Sequence, residues 1–475
     1  MNKQNTFIIL GAGPTGLGTA LGLCLNGQTD NVIVVEKAHQ VGGLAGSFVW
    51  KNHIIDYGPH RLSSSLPDIK TICDEILGSE LLTLKSQHGV QLQGVLCQFP
   101  PRVIDWISPP QIARLIAYAM SYIKARLNWT IRRFDQEKTF KQIVSSKFGN
   151  RFYSFIIQPM CKKVWIDPDY IDPEFAEIRF EHINPTRALK KLVSPLKDLN
   201  PTIFYYPKKG FIQIWNYFSK YVKNSGGEIL LDSEPVEIEL DGNKITKVII
   251  RNSKSTKVFE GTDLQLISTI PLINLVKTIK SNENWVTNLA DDLSQIKIRS
   301  MLLVCIEFNQ PKTLPFRTLI FPEAQFIFNR IFEQNLYSPD TVEKGKSVIV
   351  ADITTEPSDP LFKLSDEEIF KKTMEGLRQL KYISTDCISD FYVRRVPFAY
   401  IVPDTNSREI MFNAVKKLSE IQNLHLRGRF SIGEYDNSDY AIEHGLKLSE
   451  FLVKKTSKLE YLRQLSSISN RHIVG

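Results

Sequence analysis

The feature that most constrains the fold of this 475-residue chain is a glycine-rich turn near its start, Gly11-Ala12-Gly13-Pro14-Thr15-Gly16. A short apolar run, FIIL at 7–10, precedes the turn, and a helical pattern follows it. A second apolar run ends in Glu36, twenty residues beyond the third glycine. This spacing predicts a strand, a helix and a second strand that together bind a dinucleotide.

Each part of the turn has a physical task in such a site. Gly11 permits the tight turn, Gly13 lets the backbone approach a pyrophosphate, and Gly16 lets the helix pack closely on the strand. The helix N-terminus presents N–H groups and a positive dipole end to the phosphates, and the Glu36 carboxylate accepts the ribose hydroxyls. The predicted cofactor residues of this segment are Gly11, Gly13, Pro14, Thr15, Gly16, Glu36 and Lys37.

The composition excludes several classes of protein. Hydrophobic residues make up 43% and charged residues 23% of the chain, which is typical of a folded protein with several cores. The formal net charge of +8 suits anionic ligands but is too dilute for a nucleic-acid-binding protein. We therefore expect a small-molecule substrate and no nucleic-acid partner, while the oligomeric state stays open.

Cysteine usage and the N-terminus indicate the compartment. The six cysteines form no C-x-x-C pair and no cluster with histidine, so we expect free thiols and no metal site. The first residues lack the pattern of a secretory signal, and no apolar run is long enough to span a bilayer. These observations predict a cytoplasmic protein.

The rest of the chain divides into helical and strand-rich stretches. From about 100 to 201 the patterns are helical, with many basic and aromatic residues. Strand patterns return after Gly210, with a hairpin around a DGN turn and a buried run at 264–270. Ser365, followed by three acidic residues, predicts the start of a later helix. A second sheet is predicted from the runs 301–308, 326–332 and 347–355.

One helical pattern in the 109–134 segment carries a long apolar stripe. The stripe consists of Ile112, Leu115, Ile116, Ala119, Met120, Ile123 and Leu127. Arg114, Lys124 and Arg126 lie off it. Such a stripe usually faces a core, and we expect that here. The alternative is a helix on a membrane surface, and thus a peripheral membrane contact.

The segment after Glu36 identifies a family resemblance. Its pattern E-K-x(4)-G-G-L-x-x-S, at 36–47, resembles the second signature of a flavoprotein superfamily that includes flavin amine oxidases, protoporphyrinogen oxidases, phytoene desaturases and UDP-galactopyranose mutases. The resemblance implies FAD as the cofactor. It also implies that Gly42, Gly43 and Leu44 contact the diphosphate and ribityl chain, where paired glycines let backbone N–H groups approach phosphate.

The resemblance extends to later segments of the chain. The stretches 206–211 and 235–238 resemble the part of the family that brings a backbone valine to the adenine, which implies this role for Val236. The stretch from Gly428-Arg429 into the closing helix resembles the final family motif, which lies against the flavin ring. The resemblance implies cofactor contacts there by Gly428, Arg429, Asn437, Ser438 and Asp439.

Four short segments are similar to the UDP-galactopyranose mutases in particular. They are Gly58-Pro59-His60, Lys163-Val164-Trp165, Asn329-Arg330-Ile331-Phe332-Glu333 and Gly428-Arg429. The resemblance places Gly58 and His60 beside the flavin and Arg330 on a substrate diphosphate. The segment 433–439 departs from the mutases, because their terminal tyrosine pair and D-M-D run are not present in it.

Two kinds of chemistry are compatible with these motifs. The first is an FAD-dependent oxidoreductase of the amine oxidase and protoporphyrinogen oxidase type, in which a small organic substrate gives a hydride to flavin N5. The alternative is a flavin-dependent sugar-nucleotide mutase, in which cations hold a leaving diphosphate. The candidate catalytic residues are Arg330, His60 and Lys163, and the further candidate phosphate ligands are Arg179 and Arg187.

The predicted fold is α/β, with a discontinuous Rossmann-like FAD-binding domain, a helical insertion and a second β-sheet substrate domain. The FAD-binding domain is predicted to comprise three parts of the chain, 1–95, 201–270 and 391–455. The predicted remainder is the helical insertion 96–200, the substrate-domain sheet 271–390 and a C-terminal tail 456–475.

Overall fold

A computed structural model describes most of the chain. The described residues are 5–29, 31–63, 66–98, 109–131, 139–180, 203–281, 283–433 and 435–454. Arg187, the last part of the helical insertion and the tail 456–475 lie outside these ranges. In the described residues no helix is long and apolar enough to cross a membrane.

The strands are numbered in chain order within the described residues. They are β1 (Thr6–Leu10), β2 (Val32–Val35), β3 (Ser47–Trp50), β4 (His53–Asp56), β5 (Leu62–Ser63), β6 (Leu81–Lys85), β7 (His88–Leu92), β8 (Val95–Gln98), β9 (Ile203–Pro207), β10 (Glu228–Leu230), β11 (Ser233–Asp241), β12 (Lys244–Asn252), β13 (Thr256–Glu260), β14 (Leu264–Ser268), β15 (Ile279–Lys280), β16 (Ile298–Phe308), β17 (Thr318–Ile320), β18 (Arg330–Glu333), β19 (Ser347–Thr355), β20 (Ile388–Ile401) and β21 (Leu424–Leu426).

The α-helices of four residues or more are numbered in the same way. They are α1 (Pro14–Leu25), α2 (Pro67–Leu77), α3 (Pro109–Ile131), α4 (Phe140–Phe148), α5 (Gln158–Val164), α6 (Pro173–Phe180), α7 (Ile212–Asn224), α8 (Leu272–Val276), α9 (Asn284–Ser294), α10 (Pro360–Lys363), α11 (Asp366–Leu377), α12 (Thr405–Leu418), α13 (Arg429–Ile432) and α14 (Ser438–Lys454). Helix α11 begins after Ser365, whose hydroxyl accepts the N–H of Glu368 in a capping box, as its sequence predicts.

A five-stranded parallel sheet carries the glycine-rich turn, in the order β10-β2-β1-β14-β21. Strand β1 lies at its centre and pairs with β2 on one side and β14 on the other. Its residues from Phe7 to Leu10 are almost completely buried, because helices and a second sheet cover both faces. The strands come from three separated parts of the sequence, which confirms the predicted α/β fold with a discontinuous parallel sheet.

Helices α1 and α14 pack at backbone distance beside this sheet. A Cβ on Gly18 would lie 2.9 Å from the carbonyl oxygen of Ile442, and a Cβ on Gly445 would lie 2.4 Å from that of Thr15. Only glycine permits helices to approach so closely. The last helix of the described chain is thereby fixed against the first, and its N-terminus is held near the glycine-rich turn.

A seven-stranded sheet forms the second layer, in the order β20-β16-β19-β18-β17-β7-β8. Its strands β16, β18 and β19 confirm the predicted second sheet. Strand β7 and most of β20 belong to segments that are predicted as parts of the FAD-binding domain. The sheet therefore extends across the predicted boundaries at 95 and 391. Strand β18 begins only at Arg330, because Phe326 and Phe328 precede it in a loop and cluster with Phe321.

The helices of the insertion differ from the prediction in one respect. The stripe on α3 does not face a core, since Ile116, Met120, Ile123 and Leu127 are 55%, 66%, 56% and 62% exposed. The core-facing prediction is therefore wrong for these four residues. The side of α3 that packs on the protein carries the half-buried Tyr118, Ser121 and Tyr122, which a periodicity that counts only aliphatic residues does not detect.

The approach of α1 to α14 predicts that Gly445→Ala destabilises the protein. The added methyl would meet backbone atoms of Thr15 and Thr19, at 2.4 and 2.6 Å, which cannot move aside as a flexible side chain could. We expect a loss of about 1–3 kcal/mol in the free energy of unfolding, measured as a lower Tm. Glu450→Ala, at an exposed position of α14, is the control and should change it by less than about 0.5 kcal/mol. Equal Tm values for the two variants would contradict this packing.

Candidate functional site

Three of the predicted cofactor residues meet at the carboxyl edge of the parallel sheet. Gly11 follows β1, Glu36 follows β2, and Gly428 lies two residues beyond β21. Because these strands are parallel, their carboxyl ends share one edge, where open α/β sheets bind ligands.

The three glycines of the first turn have two different surroundings. Two of them are enclosed by backbone or side chains, and one faces open space. Gly11 has a φ of +100°, and a Cβ on Gly16 would lie 1.9 Å from the carbonyl oxygen of Gly11. A Cβ on Gly13, in contrast, would meet no protein atom within 4 Å. Gly11 and Gly16 are therefore required by the backbone, whereas Gly13 leaves space beside the N-terminus of α1.

A second glycine turn packs against the first. Gly42 has a φ of +106° and Gly43 a φ of +54°, and the Gly42 N–H donates to the carbonyl oxygen of Ala12 at 2.8 Å. A Cβ on Gly43 would lie 3.5 Å from the Cα of Gly13. The two turns thus form a cleft lined by backbone, with the half-buried Leu44 beside it.

Glu36 is oriented by both sides of this cleft. Its Oε2 accepts the N–H of Ala12 at 2.8 Å and its Oε1 accepts the N–H of Ala38 at 2.9 Å. Each carboxylate oxygen retains a lone pair that can accept a ribose hydroxyl. The neighbouring Lys37 is 80% exposed and pairs with Glu234 at 2.8 Å, so its ammonium lies at the surface.

Val236 lies where a backbone contact is possible. The pairing of β11 with β12 shifts between Pro235 and Glu237, which leaves Val236 as the extra residue of a β-bulge. The start of the same strand is tied to the cleft, because the N–H of Ser233 donates to the carbonyl oxygen of Glu36 at 2.9 Å. Val236 therefore lies outside the strand ladder. It is three residues along the strand from Ser233, which is hydrogen-bonded to Glu36.

The C-terminal motif closes the other end of the cleft. Gly428 has a φ of +94°, and a Cβ there would lie 3.2 Å from the Thr15 hydroxyl oxygen. The guanidinium of Arg429 donates to the carbonyl oxygen of Asp436 at 2.6 Å. Asn437 precedes α14, and Ser438 and Asp439 begin it. The Asp439 carboxylate is buried and accepts the N–H of Ser63 at 3.3 Å, which joins α14 to the loop after His60.

His60 lies next to two arginines. Its imidazole stacks on Phe211, with ring centroids 5.3 Å apart. A Cβ on Gly58 would lie 3.4 Å from the guanidinium of Arg330 and 3.6 Å from the Nε2 of His60, so these three residues converge. Burial, together with the charges of Arg330 and Arg429, lowers the pKa of His60 to about 3. The imidazole is therefore neutral, and its buried Nδ1 has no hydrogen-bond partner among the described residues.

Arg330 is positioned by a strand partner. It lies opposite Asp352 in the pairing of β18 with β19, and its Nε donates to the carboxylate at 2.6 Å. Burial opposes the charge of Arg330, but Asp352, Tyr400 and Tyr337 together outweigh this effect and raise its pKa. Asp352 is itself a buried acid within the otherwise apolar run 348–353 of β19, which is the signal that sequence reasoning missed.

Two further arginines, Arg179 and Arg429, interact electrostatically with this part of the site. Burial and the charge of Arg429 lower the pKa of Arg179, and Arg330 contributes in the same direction. Of these arginines, Arg330 is paired with a carboxylate, that of Asp352. We call Arg179, Arg330 and Arg429 the arginine cluster.

Two half-buried tyrosines border the arginine cluster, and sequence reasoning missed both. Burial raises the pKa of Tyr400, which interacts electrostatically with Asp352 and with all three arginines. Burial also raises the pKa of Tyr435, whose hydroxyl has no hydrogen-bond partner among the described residues. Tyr400 comes from β20, far from the terminal motif in sequence, so the motif alone could not indicate the pair.

The ammonium group of Lys163 does not point toward His60 and the arginine cluster. The ammonium donates to the carbonyl oxygens of Phe321, Glu323 and Phe328, at 2.7, 3.1 and 2.7 Å. Three acceptors occupy all three protons of the group. This geometry gives Lys163 the task of holding the loop before Arg330, and it offers no support for the predicted catalytic role of Lys163.

A buried carboxylate below His60 was also missed. Asp56 accepts hydrogen bonds from the hydroxyls of Ser47 (2.5 Å) and Tyr206 (2.6 Å) and from the N–H of Phe211 (3.1 Å). Gln334, the residue directly after β18, accepts the N–H of Asp56. Asp56 therefore ties β4 to the turn after β18, four residues before His60.

The comparisons with known proteins agree with this arrangement. The family model of the flavin containing amine oxidoreductases matches residues 14–432. The chain belongs to the flavin-containing amine oxidoreductase family. A structure of reduced UDP-galactopyranose mutase is 19% identical, with a TM-score of 0.78, over 95% of this chain and 94% of that one.

Other solved structures have the same fold. A putative protoporphyrinogen oxidase from Exiguobacterium sp. 255-15 is 13% identical, with a TM-score of 0.68, over 96% of this chain and 100% of that one. Putrescine oxidase bound to putrescine is 14% identical, with a TM-score of 0.60, over 95% and 99% of the two chains. At these identities the similarity shows a common fold and leaves the reaction open.

The residues of this chain fit the flavin cofactor that the family implies. The space at Gly13 and the second glycine turn suit a phosphate group, and Glu36 suits a ribose. At the other end, the N-terminus of α14 suits the electron-rich side of a flavin ring, and the unpartnered Nδ1 of His60 is available beside it.

Two glycines of the first turn give a matched pair of variants. Gly13→Ala should leave the Tm unchanged, because the methyl meets no protein atom, but should weaken flavin binding about tenfold or more, or about 1.4 kcal/mol. Gly16→Ala should lower the Tm, because its methyl meets backbone. Thermal unfolding and flavin titration measure the two effects. Unchanged flavin binding by Gly13→Ala would contradict the assigned cleft.

Asp56 predicts a pH dependence of stability. Burial raises the pKa of this carboxyl to about 6 in spite of its hydrogen bonds, from 3.8 in the unfolded chain. Between these values the folded protein holds a proton that the unfolded chain has lost, so stability falls as the pH rises from 4 to 6. The decrease for this group is about 3 kcal/mol. Asp56→Asn cannot titrate, so the stability of the wild type relative to this variant should fall over this window. A constant difference would contradict the prediction.

Proposed function

We propose that the cofactor is FAD and that the enzyme acts on an anionic small molecule. The two glycine turns and Glu36 support binding of the diphosphate and adenosine half, and the N-terminus of α14 supports binding of the ring. When bound, FAD supplies a hydride acceptor at N5 of its ring. The first candidate function is therefore hydride transfer from an anionic organic substrate to FAD.

The arginine cluster is the observation that carries the choice of an anion. Like charges repel each other, and a cationic amine would meet the guanidinium groups of Arg179, Arg330 and Arg429. A carboxylate or phosphate instead gains charge-assisted hydrogen bonds from guanidinium groups. The substrate class thus differs from the amines that give the family its name.

The protein residues divide the remaining tasks. Asp352 fixes the orientation of Arg330, and Lys163 holds the loop before it. His60 stays uncharged near neutral pH, so it can orient a ligand by hydrogen bonding without adding a fourth cation. The Phe211 ring stacks on the imidazole of His60 and shields it from water.

A specific observation favours a second candidate, a sugar-nucleotide mutase that uses reduced FAD. The cluster combines three arginines with the hydroxyls of Tyr400 and Tyr435, and cations with hydroxyls suit a leaving diphosphate. The fold is also similar over almost its full length to that of reduced UDP-galactopyranose mutase. In this function the arginines hold the diphosphate while the sugar is rearranged.

Anaerobic spectroscopy tests the proposal and separates the candidates. Oxidised holoprotein is mixed with panels of small carboxylates, phosphate esters and amines, and flavin absorbance is followed. We expect bleaching by an anionic compound and none by amines; efficient bleaching by an amine would contradict the proposal. Conversion of a UDP-hexose by the reduced protein, without net oxidation of the flavin, would support the mutase instead of hydride transfer.

Substitutions in the arginine cluster should weaken use of the anion. We expect Arg330→Gln and Arg179→Gln each to lower kcat/KM for the active anion by about 100-fold, as for the loss of one charge-stabilising donor. Their flavin spectra and Tm values should show that the protein is still folded. Arg251→Gln, at an exposed position of β12, is the matched control and should retain wild-type activity. If all three variants behaved alike, the cluster would have no role in substrate binding.

A further inference from the structure

Within the described ranges, the contacts that can be named for helix α3 lie on one face. Tyr118 makes an edge contact with Phe155, with ring centroids 5.8 Å apart, and the Ser121 hydroxyl accepts the N–H of Arg151 at 3.1 Å. A Cβ on Gly149 would lie 2.9 Å from the backbone of Ser121 and Tyr122. The positions 118, 121 and 122 therefore define the side on which α3 packs.

The opposite side of α3 is apolar and exposed. Ile116, Met120, Ile123 and Leu127 follow one another at intervals of three and four residues, and each is more than half exposed. At about 100° per residue their centre lies about 170° from the packed face. We call these four residues the apolar stripe. Four neighbouring large apolar side chains form a continuous surface, in contrast to single exposed residues, which need no explanation.

Basic residues border the apolar stripe on both sides. Lys124 and Arg126 are exposed, and each lies about 70–90° from the centre of the stripe, one on either side. The whole sequence of α3 contains Arg114, Lys124 and Arg126 and no acidic residue. An apolar face between basic borders is the pattern of a helix that lies in the interface of an anionic membrane.

We propose that α3 lies on an anionic lipid surface, with the apolar stripe among the acyl chains and the basic residues at the headgroups. Charge decides between this occupant and the protein alternatives. A second copy of the chain would place another helix without acidic residues against this one, so that cations would face cations. The basic segment 187–197 of the same chain, with Arg187, Lys190, Lys191 and Lys197, would do the same. An anionic bilayer supplies the complementary charge as well as an apolar phase.

Vesicle co-sedimentation of the holoprotein tests this proposal. The probes are vesicles of phosphatidylcholine alone and of phosphatidylcholine mixed with phosphatidylglycerol. We expect binding to the mixed vesicles to be about tenfold or more stronger, since each basic residue near an anionic surface contributes about 1 kcal/mol. Added salt should weaken the binding, because it screens the charges.

Two variants and one matched control distinguish vesicle binding through the apolar stripe from nonspecific vesicle binding. Met120→Glu and Ile123→Glu place a charge in the apolar stripe and should each lower vesicle binding about tenfold or more, since an ionised group is costly to bury. Phe412→Glu makes the same kind of change on α12, where Phe412 is 67% exposed against 66% for Met120, and should bind as the wild type does. The Tm of each protein checks its folding.

Two results would overturn the proposal. One is a wild-type protein that binds neither kind of vesicle at low salt. The other is equal vesicle binding by Met120→Glu and wild type; if Met120→Glu also changed a dimer into a monomer in gel filtration, a second copy would be the occupant. Vesicle binding does not depend on the substrate, so neither result bears on the proposed function.

Discussion

The close approach of two glycine turns is the constraint on which the rest of the site depends. The hydrogen bond from Gly42 to Ala12, and the short distance between Gly43 and Gly13, leave only backbone between the two turns. Side chains at these positions would separate them and fill the space that a diphosphate needs. Glu36 accepts one N–H from the first turn, that of Ala12, and one from Ala38, so its carboxylate is held beside the first turn.

Charge at the far end of the cleft is the second constraint. The arginine cluster is only partly neutralised by Asp352, and burial keeps His60 uncharged beside it. The protein thereby holds an excess of positive charge where solvent screening is weak. The anionic substrate that we propose would offset this excess.

The sequence indicates the geometry of the glycine-turn end of the site more directly than that of the arginine end. The first glycine turn and Glu36 are local, because a strand, a turn and a helix in direct succession fix their relative positions. Arg330 lies in a recognisable motif, but its partners Asp352 and Tyr400 come from strands that meet only in the folded sheet. For the apolar stripe, the sequence predicts the apolar face correctly but its burial wrongly. Periodicity identifies an apolar face and does not indicate what covers it.

The most direct test of this account is the identity and amount of cofactor in the purified protein. The protein is denatured, and the released compound is identified by its absorption spectrum and mass. The account predicts a yellow protein that releases FAD in equimolar amount, or a colourless one that takes up one FAD on addition. A protein that binds no FAD although its Tm shows that it is folded would contradict it.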